Sequence, residues 1–350
     1  MDFNLNEDQK LFKDSVEGFA QHHLADGAVA RAHEDTYPWE VAKLMAEQGL
    51  LGITINEADG GQGGSLMDAV LAIEAIAKFC PRSADVVQAG NFGAIRVLAE
   101  YASSEQKERL LGPMLKGEKL IAVAMTEPEA GSAATDLKTT ATPDGDGFRI
   151  NGSKIFTTHG QFADVFLAYV RYGPGVGGIG SVLIERGQDG FKTGNPVKFM
   201  SGEEWVQLYF DDAYVGPENV LLGEGGFKKQ IAGFNVERIG NTARSLALGR
   251  YAFEISKDYA KTREQFGRTL NEFQGLQWKF ADMKVKLDAA ELLLYRAACN
   301  SDGGFPSAEE TSIAKLYCNT AGFEVANEAM QIMGGAGFSE DCLIEYCVRR

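Results

Sequence analysis

No stretch of the 350 residues strings together the ~18 apolar residues that a membrane-spanning helix needs. The opening Met1-Asp2-Phe3-Asn4-Leu5-Asn6-Glu7-Asp8 lacks the basic start of a secretory leader and the arginines of a transit peptide. Cysteine is scarce: Cys80, Cys299, Cys318, Cys342 and Cys347 are odd in number, scattered and without a CxxC pair, which excludes a disulfide framework and a zinc ribbon. The reading is a cytoplasmic chain. Histidine is scarcer still, and His22, His23, His33 and His159 include no i,i+4 pair to begin a metal site. Basic charge is in deficit, with 34 Lys and Arg against 49 Asp and Glu and a net charge of −15, so an extended groove for nucleic acid or anionic lipid is excluded. A GxSxG elbow is missing as well. Cys80 falls in an apolar helical run, which leaves nucleophilic hydrolysis without a candidate.

What remains is a chain that is 45% hydrophobic and 24% charged, enough to bury sizeable cores and long enough for two or three domains. Up to about residue 115, apolar residues recur at helical spacing, as in Leu11, Phe12, Val16, Phe19 and Ala20, with Asn6 and Gln9 set as a capping box. Helices are predicted over Pro38–Gly49, Ser65–Phe79, Phe92–Tyr101 and Glu105–Lys116, broken by the loop Asp59-Gly60-Gly61-Gln62-Gly63-Gly64. The texture then changes to short β-type runs: Ile121–Met125, Phe148–Ile150, Lys154–Thr157, Val165–Tyr172, Gly180–Glu185 and Val206–Phe210. Asp144-Gly145-Asp146-Gly147 and Asn151-Gly152 read as turns. No helical pattern intervenes to make parallel crossovers, so a small antiparallel barrel or sandwich is expected. Long periodic segments follow at Lys228–Gln265, Asn271–Asn300 and Ser307–Met333, the material of a bundle. The predicted domains are 1–118, all α; 119–226, β; and 227–350, α-helical.

Gly173-Pro174-Gly175-Val176-Gly177-Gly178 satisfies GxGxxG, but it lies between two strands and Pro174 suits a hairpin loop better than a helix-opening phosphate turn. More informative is Met125-Thr126-Glu127-Pro128-Glu129-Ala130-Gly131-Ser132, a strand ending in a Gly-Ser turn, followed by Lys154-Ile155-Phe156-Thr157-Thr158. Backbone N–H groups and hydroxyls at such a strand end suit an anionic or heteroaromatic ligand, and Phe156 adds a flat face. Two more segments close long helices: Arg263-Glu264-Gln265-Phe266-Gly267 and Gln331-Ile332-Met333-Gly334-Gly335-Ala336-Gly337-Phe338.

In this order and spacing, the three segments resemble the acyl-CoA dehydrogenase family of flavoproteins, over essentially the whole chain. The resemblance implies an N-terminal helical domain, a middle antiparallel β-barrel domain and a C-terminal four-helix bundle, with FAD held by the β domain and the bundle and completed by a neighbouring subunit. It implies flavin contacts from Val123, Met125, Thr126, Gly131, Ser132, Phe156 and Thr158. Arg263, Gln265, Phe266, Gln274, Gln331, Gly334 and Gly335 would meet the pyrophosphate and adenine of FAD in the adjacent subunit of a tetramer or dimer. Ser132, Phe234, Asn235 and Arg238 would touch the acyl-CoA substrate.

The implied reaction is α,β-dehydrogenation of an acyl-CoA thioester, with electrons passed to an electron-transfer flavoprotein. A glutamate removes the α-proton, and desolvation by substrate raises its pKa. The resemblance offers two places for that base: Glu237, directly before Arg238 in Phe234-Asn235-Val236-Glu237-Arg238-Ile239-Gly240, or a glutamate in a segment beyond Arg350. Ala133 stands where the family usually has aspartate and Phe156 where tryptophan is common, while Tyr346 and Arg350 replace a basic and an acidic residue. These departures mark a divergent subfamily. Asn271-Glu272-Phe273-Gln274-Gly275-Leu276-Gln277-Trp278, with Tyr37-Pro38-Trp39, is similar to members handling unusual short acyl-CoAs, a sulfinopropionyl-CoA desulfinase among them. Desulfination, oxidation of a carrier-protein thioester, and a flavin-free helical scaffold stand as alternatives.

Overall fold

The computed structural model describes residues 4–301 and 305–350; the opening Met1-Asp2-Phe3, read above for a leader, lies outside them. The chain forms two compact units. One gathers the residues up to Glu34, Gly64–Gln88 and Asn235–Arg350, and the other Asp35–Gly63 and Ala89–Phe234.

The first unit is helical. Its opening helix, Glu7–His23, begins with the expected capping box: Gln9 N donates to Asn6 Oδ1 (2.8 Å) and Asn6 N to Gln9 Oε1 (3.0 Å), which satisfies two backbone donors that a helix start would otherwise leave unpaired. Leu66–Ala77 starts on a second box, Ser65 with Asp68. Every residue of this helix except Asp68 is buried, as its nearly continuous apolar run requires. The long helices are Phe227–Thr262, which belongs to this unit from Asn235 onward, Gln274–Cys299 and Ala308–Met333. A Cβ built on Gly322 would lie 2.5 Å from the Ser245 carbonyl oxygen, so the first and third of these pack backbone to backbone and only glycine fits there. Short helices at Gly335–Phe338 and Ile344–Arg349 end the unit.

Pro81–Asn91 is a helix that apolar periodicity passes over, because Arg82, Ser83, Asp85, Gln88 and Asn91 interrupt its small apolar residues. Proline suits a first helical position, where the missing N–H is no loss. Cys80 therefore sits buried in the break between two helices and not within a helical run.

The second unit carries the helices Trp39–Glu47 and Ala94–Tyr101 and one sheet of nine strands. The strands are β1 (Ile121–Ala124), β2 (Thr140–Asp144), β3 (Gly147–Thr158), β4 (Val165–Arg171), β5 (Ile179–Glu185), β6 (Phe191–Thr193), β7 (Val197–Lys198), β8 (Glu204–Val215) and β9 (Val220–Leu222). Hydrogen-bonded neighbours run β6-β8-β3-β2-β4-β5-β9, with β1 on β4 and β7 on β8. The path is open from β6 to β9. Pairing is mainly antiparallel, but β1 runs parallel to β4 from Ile121↔Val165 to Ala124↔Ala168; the intervening β2–β3 hairpin makes the crossover that the sequence reading expected only from a helix.

Asp144 and Gly147 close that hairpin as predicted. Asn151-Gly152 is no turn. It lies inside β3, where the register against β8 slips between Ile150 and Gly152. A Cβ on Gly152 would come within 2.6 Å of Thr139 Oγ1, and its φ is 145°. The residue pair that signals a hairpin here makes a bulge.

Candidate active site

The strand-end segment is built by a buried ion pair. β1 delivers the chain to Met125 and Thr126, and a tight turn follows in which Glu127 and Ala130 exchange backbone hydrogen bonds at 3.1 Å each way. Glu127 is buried. Its Oε1 accepts from Lys154 Nζ (2.7 Å), Thr139 Oγ1 (2.6 Å) and Thr139 N (3.0 Å), and its Oε2 from Lys138 N (2.6 Å). Lys154, fully buried on β3, also donates to the Met125 carbonyl (3.2 Å). Burial works against both charges. Lys154 and the donors around it nonetheless hold Glu127 below the usual carboxylate range, while desolvation pulls Lys154 down to about 8 against the pull of Glu127. The pair is charged near neutrality and fastens the 125–132 segment to β3, a bond completed by Ile155 N donating to Thr126 O (2.8 Å). Neither residue was singled out in the sequence. A glutamate and a lysine inside apolar strand ends were the available signal.

Just past Lys154, the β3–β8 register slips again, between Lys154 and Thr157, and Phe156 takes φ 57°. A left-handed aromatic residue in a strand is strained, and such strain concentrates at working sites. The bulge turns Phe156 outward: it is 51% exposed, with its ring centroid 4.7 Å from that of Trp205 and 6.2 Å from that of Phe199. The Thr157 hydroxyl is buried without a partner. Gly131 and Ser132 are exposed, and a Cβ on Gly131 would meet nothing within 4 Å. Met125 and Thr126 are thus fastened to β3 at Lys154 and Ile155, next in sequence to Phe156, and Val123 is half-buried on β1.

In the helical unit, Phe227–Thr262 is followed by a hairpin of β10 (Glu264–Gln265) and β11 (Arg268–Thr269). At its tip Phe266 has φ 54° and is 94% exposed. Gln274 opens the next helix. Arg263, Gln265, Phe266 and Gln274 all face outward. So do Gln331, Gly334 and Gly335 at the end of Ala308–Met333, where a Cβ on either glycine would meet nothing within 4 Å. Among the described residues, no hydrogen bond or ring contact joins this segment to the hairpin.

Glu237 lies on Phe227–Thr262 and is half-buried. Its Oε1 accepts from Gln88 Nε2 and from Asn241 Nδ2, each at 2.9 Å. Burial pushes its pKa up to about 7 against the opposing effects of Arg244, Gln88 and Asn241. Some surface of the residue still reaches solvent. Asn241 follows Glu237 by one helical turn, a spacing readable from sequence. Gln88 carries no local signal, because it arrives from another helix.

Close by in sequence, Asp85 gathers Arg82 (3.1 Å), Arg244 (3.2 Å) and Arg350 (2.6 Å), with Tyr346 Oη at 3.5 Å. Burial would raise its pKa, but the three guanidinium groups hold it far below the carboxylate range. The two departures at Tyr346 and Arg350 therefore have a shared structural role. Asn235 is likewise engaged: it donates to the Pro306 carbonyl (3.1 Å) and accepts from Arg238 Nη1 (2.6 Å), so it orients Arg238. Phe234 belongs, like Tyr169, to the β-sheet unit, and the two ring centroids lie 6.3 Å apart.

Three sequence models match in succession: acyl-CoA dehydrogenase, N-terminal domain, over residues 6–118; middle domain, over 122–213; and C-terminal domain, over 224–350. A short-chain-specific acyl-CoA dehydrogenase of Clostridium acetobutylicum is 34% identical, covering 100% of this chain and 93% of its own. A 3-sulfinopropanoyl-CoA desulfinase of Paraburkholderia xenovorans is also 34% identical, over 99% and 91%. The structure of butyryl-CoA dehydrogenase from Megasphaera elsdenii superposes with a TM-score of 0.92 at 34% identity, over 100% and 94%. A chain in a structure described as the electron transferring flavoprotein of Acidaminococcus fermentans gives 0.93 at 35%, over 100% and 93%. An FAD complex of PigA gives 0.93 at 28%, over 100% and 93%. With helix, sheet and helix in the matching order and all three segments accounted for, the chain belongs to the acyl-CoA dehydrogenase family.

Proposed function

We propose that the protein is an FAD-dependent enzyme that introduces an α,β-double bond into an acyl-CoA thioester, with Glu237 as the base. The observation that carries this reading is Glu237 itself: a half-buried carboxyl raised to about 7, with one oxygen held by two amide donors and the other taking no side-chain hydrogen bond among the described residues. A base poised near the working pH is what abstraction of a weakly acidic α-proton requires. When bound, FAD supplies the acceptor for the β-hydride. The exposed and strained Phe156, the orphaned Thr157 hydroxyl and the open space at Gly131, Gly334 and Gly335 fit a large planar cofactor with a pyrophosphate.

In this reading Val123, Met125, Thr126, Gly131, Ser132, Phe156 and Thr158 hold the ring end. Arg263, Gln265, Phe266, Gln274, Gln331, Gly334 and Gly335 serve the nucleotide end in a neighbouring copy of the chain; their outward orientation supports that division. Ser132, Phe234 and Arg238 contact the acyl-CoA, and Asn235 holds Arg238. The domains divide at 118/119 and 226/227. Electrons leave to an electron-transfer flavoprotein, a reading supported by the likeness to a chain in a structure described as the electron transferring flavoprotein of Acidaminococcus fermentans.

The test is anaerobic mixing of FAD-loaded protein with a panel of acyl-CoAs, butyryl-CoA and 3-sulfinopropanoyl-CoA included. Bleaching of the visible flavin band by a saturated acyl-CoA, with the enoyl-CoA as product, is expected. Protein that takes up no FAD overturns the reading. Release of sulfite from 3-sulfinopropanoyl-CoA without bleaching by any saturated acyl-CoA replaces it with desulfination.

A further inference from the structure

The carboxyl of Glu237 is held asymmetrically. Gln88 Nε2 donates to Glu237 Oε1 (2.9 Å) and to Asn241 Oδ1 (3.1 Å), and Asn241 Nδ2 donates to the same Oε1 (2.9 Å). Oε1 therefore accepts two N–H groups and Oε2 none from a side chain among the described residues. Gln88 is only 7% exposed, and its own carbonyl oxygen is buried without a partner. Turning the amide over would point that carbonyl at a carboxylate oxygen and at the Asn241 carbonyl, two acceptors. Its orientation is therefore fixed by the electrostatics of Glu237, at the cost of an unsatisfied buried acceptor. Groups that keep such a cost deserve a functional account.

We propose that Gln88 is a positioning residue for proton abstraction: together with Asn241 it fixes Oε1 of Glu237 as a permanent acceptor and so makes Oε2 the atom that takes the proton. This rests on Glu237 being the base. As the substrate α-C–H bond breaks, its proton forms the O–H bond at Oε2. The electron pair stays on carbon and closes the double bond as the β-hydride leaves to the flavin named above. Glu237 becomes a neutral acid whose carbonyl, Oε1, still accepts both amides, so neither Gln88 nor Asn241 has to move. Rotation of the carboxyl is blocked during the transfer, which keeps the acceptor aligned.

The other charged groups facing this site are Arg238, turned toward Asn235, and Arg244, which is shared with Asp85, where Arg82 and Arg350 also converge. None of these hydrogen-bonds Glu237. An amide N–H bonds a carboxylate oxygen more strongly than the carbonyl of the neutral acid, so loss of one donor removes more support from the charged form and moves the titration of Glu237 upward.

The experiment uses FAD-loaded Gln88→Leu and Asn241→Leu, with Glu237→Gln as reference. The titration of Glu237 is read from the infrared band of the protonated carboxyl that Glu237→Gln removes, and the rate of flavin bleaching by butyryl-CoA is followed against pH. Each leucine variant is expected to raise the midpoint by about one pH unit, to slow bleaching by more than about tenfold on the acid side, and to stay slower than the wild type by a smaller factor on the alkaline side, where only the alignment is lost. A merely structural role would lower thermal stability without moving either midpoint. If Glu237→Gln is inactive and both leucine variants keep the wild-type midpoint, the positioning role is overturned while the base stands. If Glu237→Gln bleaches at the wild-type rate, the base reading falls and takes the proposal with it. Asn241→Leu probes the same oxygen should Gln88→Leu fail to fold.

Discussion

A carboxylate that removes a weakly acidic proton must be basic enough to accept it yet still ionised at the working pH, and the surroundings of Glu237 meet both demands at once. Desolvation raises its pKa to about 7, so bleaching by substrate should climb with pH through that value and level off above it. Glu237→Gln should keep FAD and acyl-CoA binding while slowing flavin reduction by a factor of about 10² to 10⁴ or more, the usual contribution of a general base; stopped-flow bleaching measures it. The same shift has a cost in stability. A carboxyl whose folded pKa stands above its ordinary value of 4.5 contributes stability that is complete below 4.5 and is lost as the pH rises through about 7. Glu237→Gln, neutral throughout, should match the wild type in acid and exceed it by up to about 3 kcal/mol well above neutrality. Urea unfolding at an acid and an alkaline pH checks both the sign and the size. A wild type that gained stability on going alkaline, relative to the variant, would contradict the placement of Glu237.

At the scale of elements, the β3 strand carries Lys154 of the buried pair, the bulged Phe156 and the Gly152 slip within twelve residues. The sequence suggests a turn in its middle because Asn-Gly marks a hairpin by local preference alone, whereas the pairing of β3 with both β2 and β8 decides the outcome. Pro81–Asn91 escaped for a related reason: buried polar side chains such as Gln88 and Asn91 have partners in distant elements and leave no apolar period behind. What periodicity and capping could supply, they supplied. The long helices and the Asn6 box were found close to their observed places, and β4 and β5 were read correctly as short apolar strands.

The ion pair gives this scale its prediction. Lys154→Met leaves Glu127 buried with no cation, which should cost about 3–5 kcal/mol and loosen the 125–132 segment, with FAD affinity falling in step. Adding Glu127→Gln to Lys154→Met should recover part of the loss, because the uncompensated charge is gone. Denaturant unfolding of the two variants separates the cases. Equal stability of Lys154→Met and wild type would mean that the pair fastens nothing.

For the whole molecule, the order helix, sheet, helix was readable along the chain, and the three family segments follow it. The two compact units do not follow it, since the helical one collects three separate stretches; contacts between residues far apart in sequence leave no periodic trace. What the helical unit leaves uncovered points to assembly. On Gln274–Cys299, Trp278, Val285 and Leu292 are exposed at seven-residue intervals, and on Ala308–Met333, Ile313, Leu316 and Phe323 share one face, with Leu316 75% exposed. Isolated apolar residues on a surface need no account, but stripes at helical spacing along two packed helices are what the proposed assembly would cover. In an isolated chain, replacing such an exposed residue by glutamate changes stability within about 0.5 kcal/mol. In an oligomer it places a charge in an apolar contact. Leu316→Glu combined with Val285→Glu should therefore leave the fold intact, reduce the sedimenting species from tetramer or dimer to single chains, and release FAD, because the nucleotide end of each site is proposed to come from the neighbour. A wild-type chain that sediments as a stable monomer while retaining one FAD would refute the shared site; a dissociated variant that keeps its flavin would refute the contribution of Arg263, Gln331 and Gly335 across the interface.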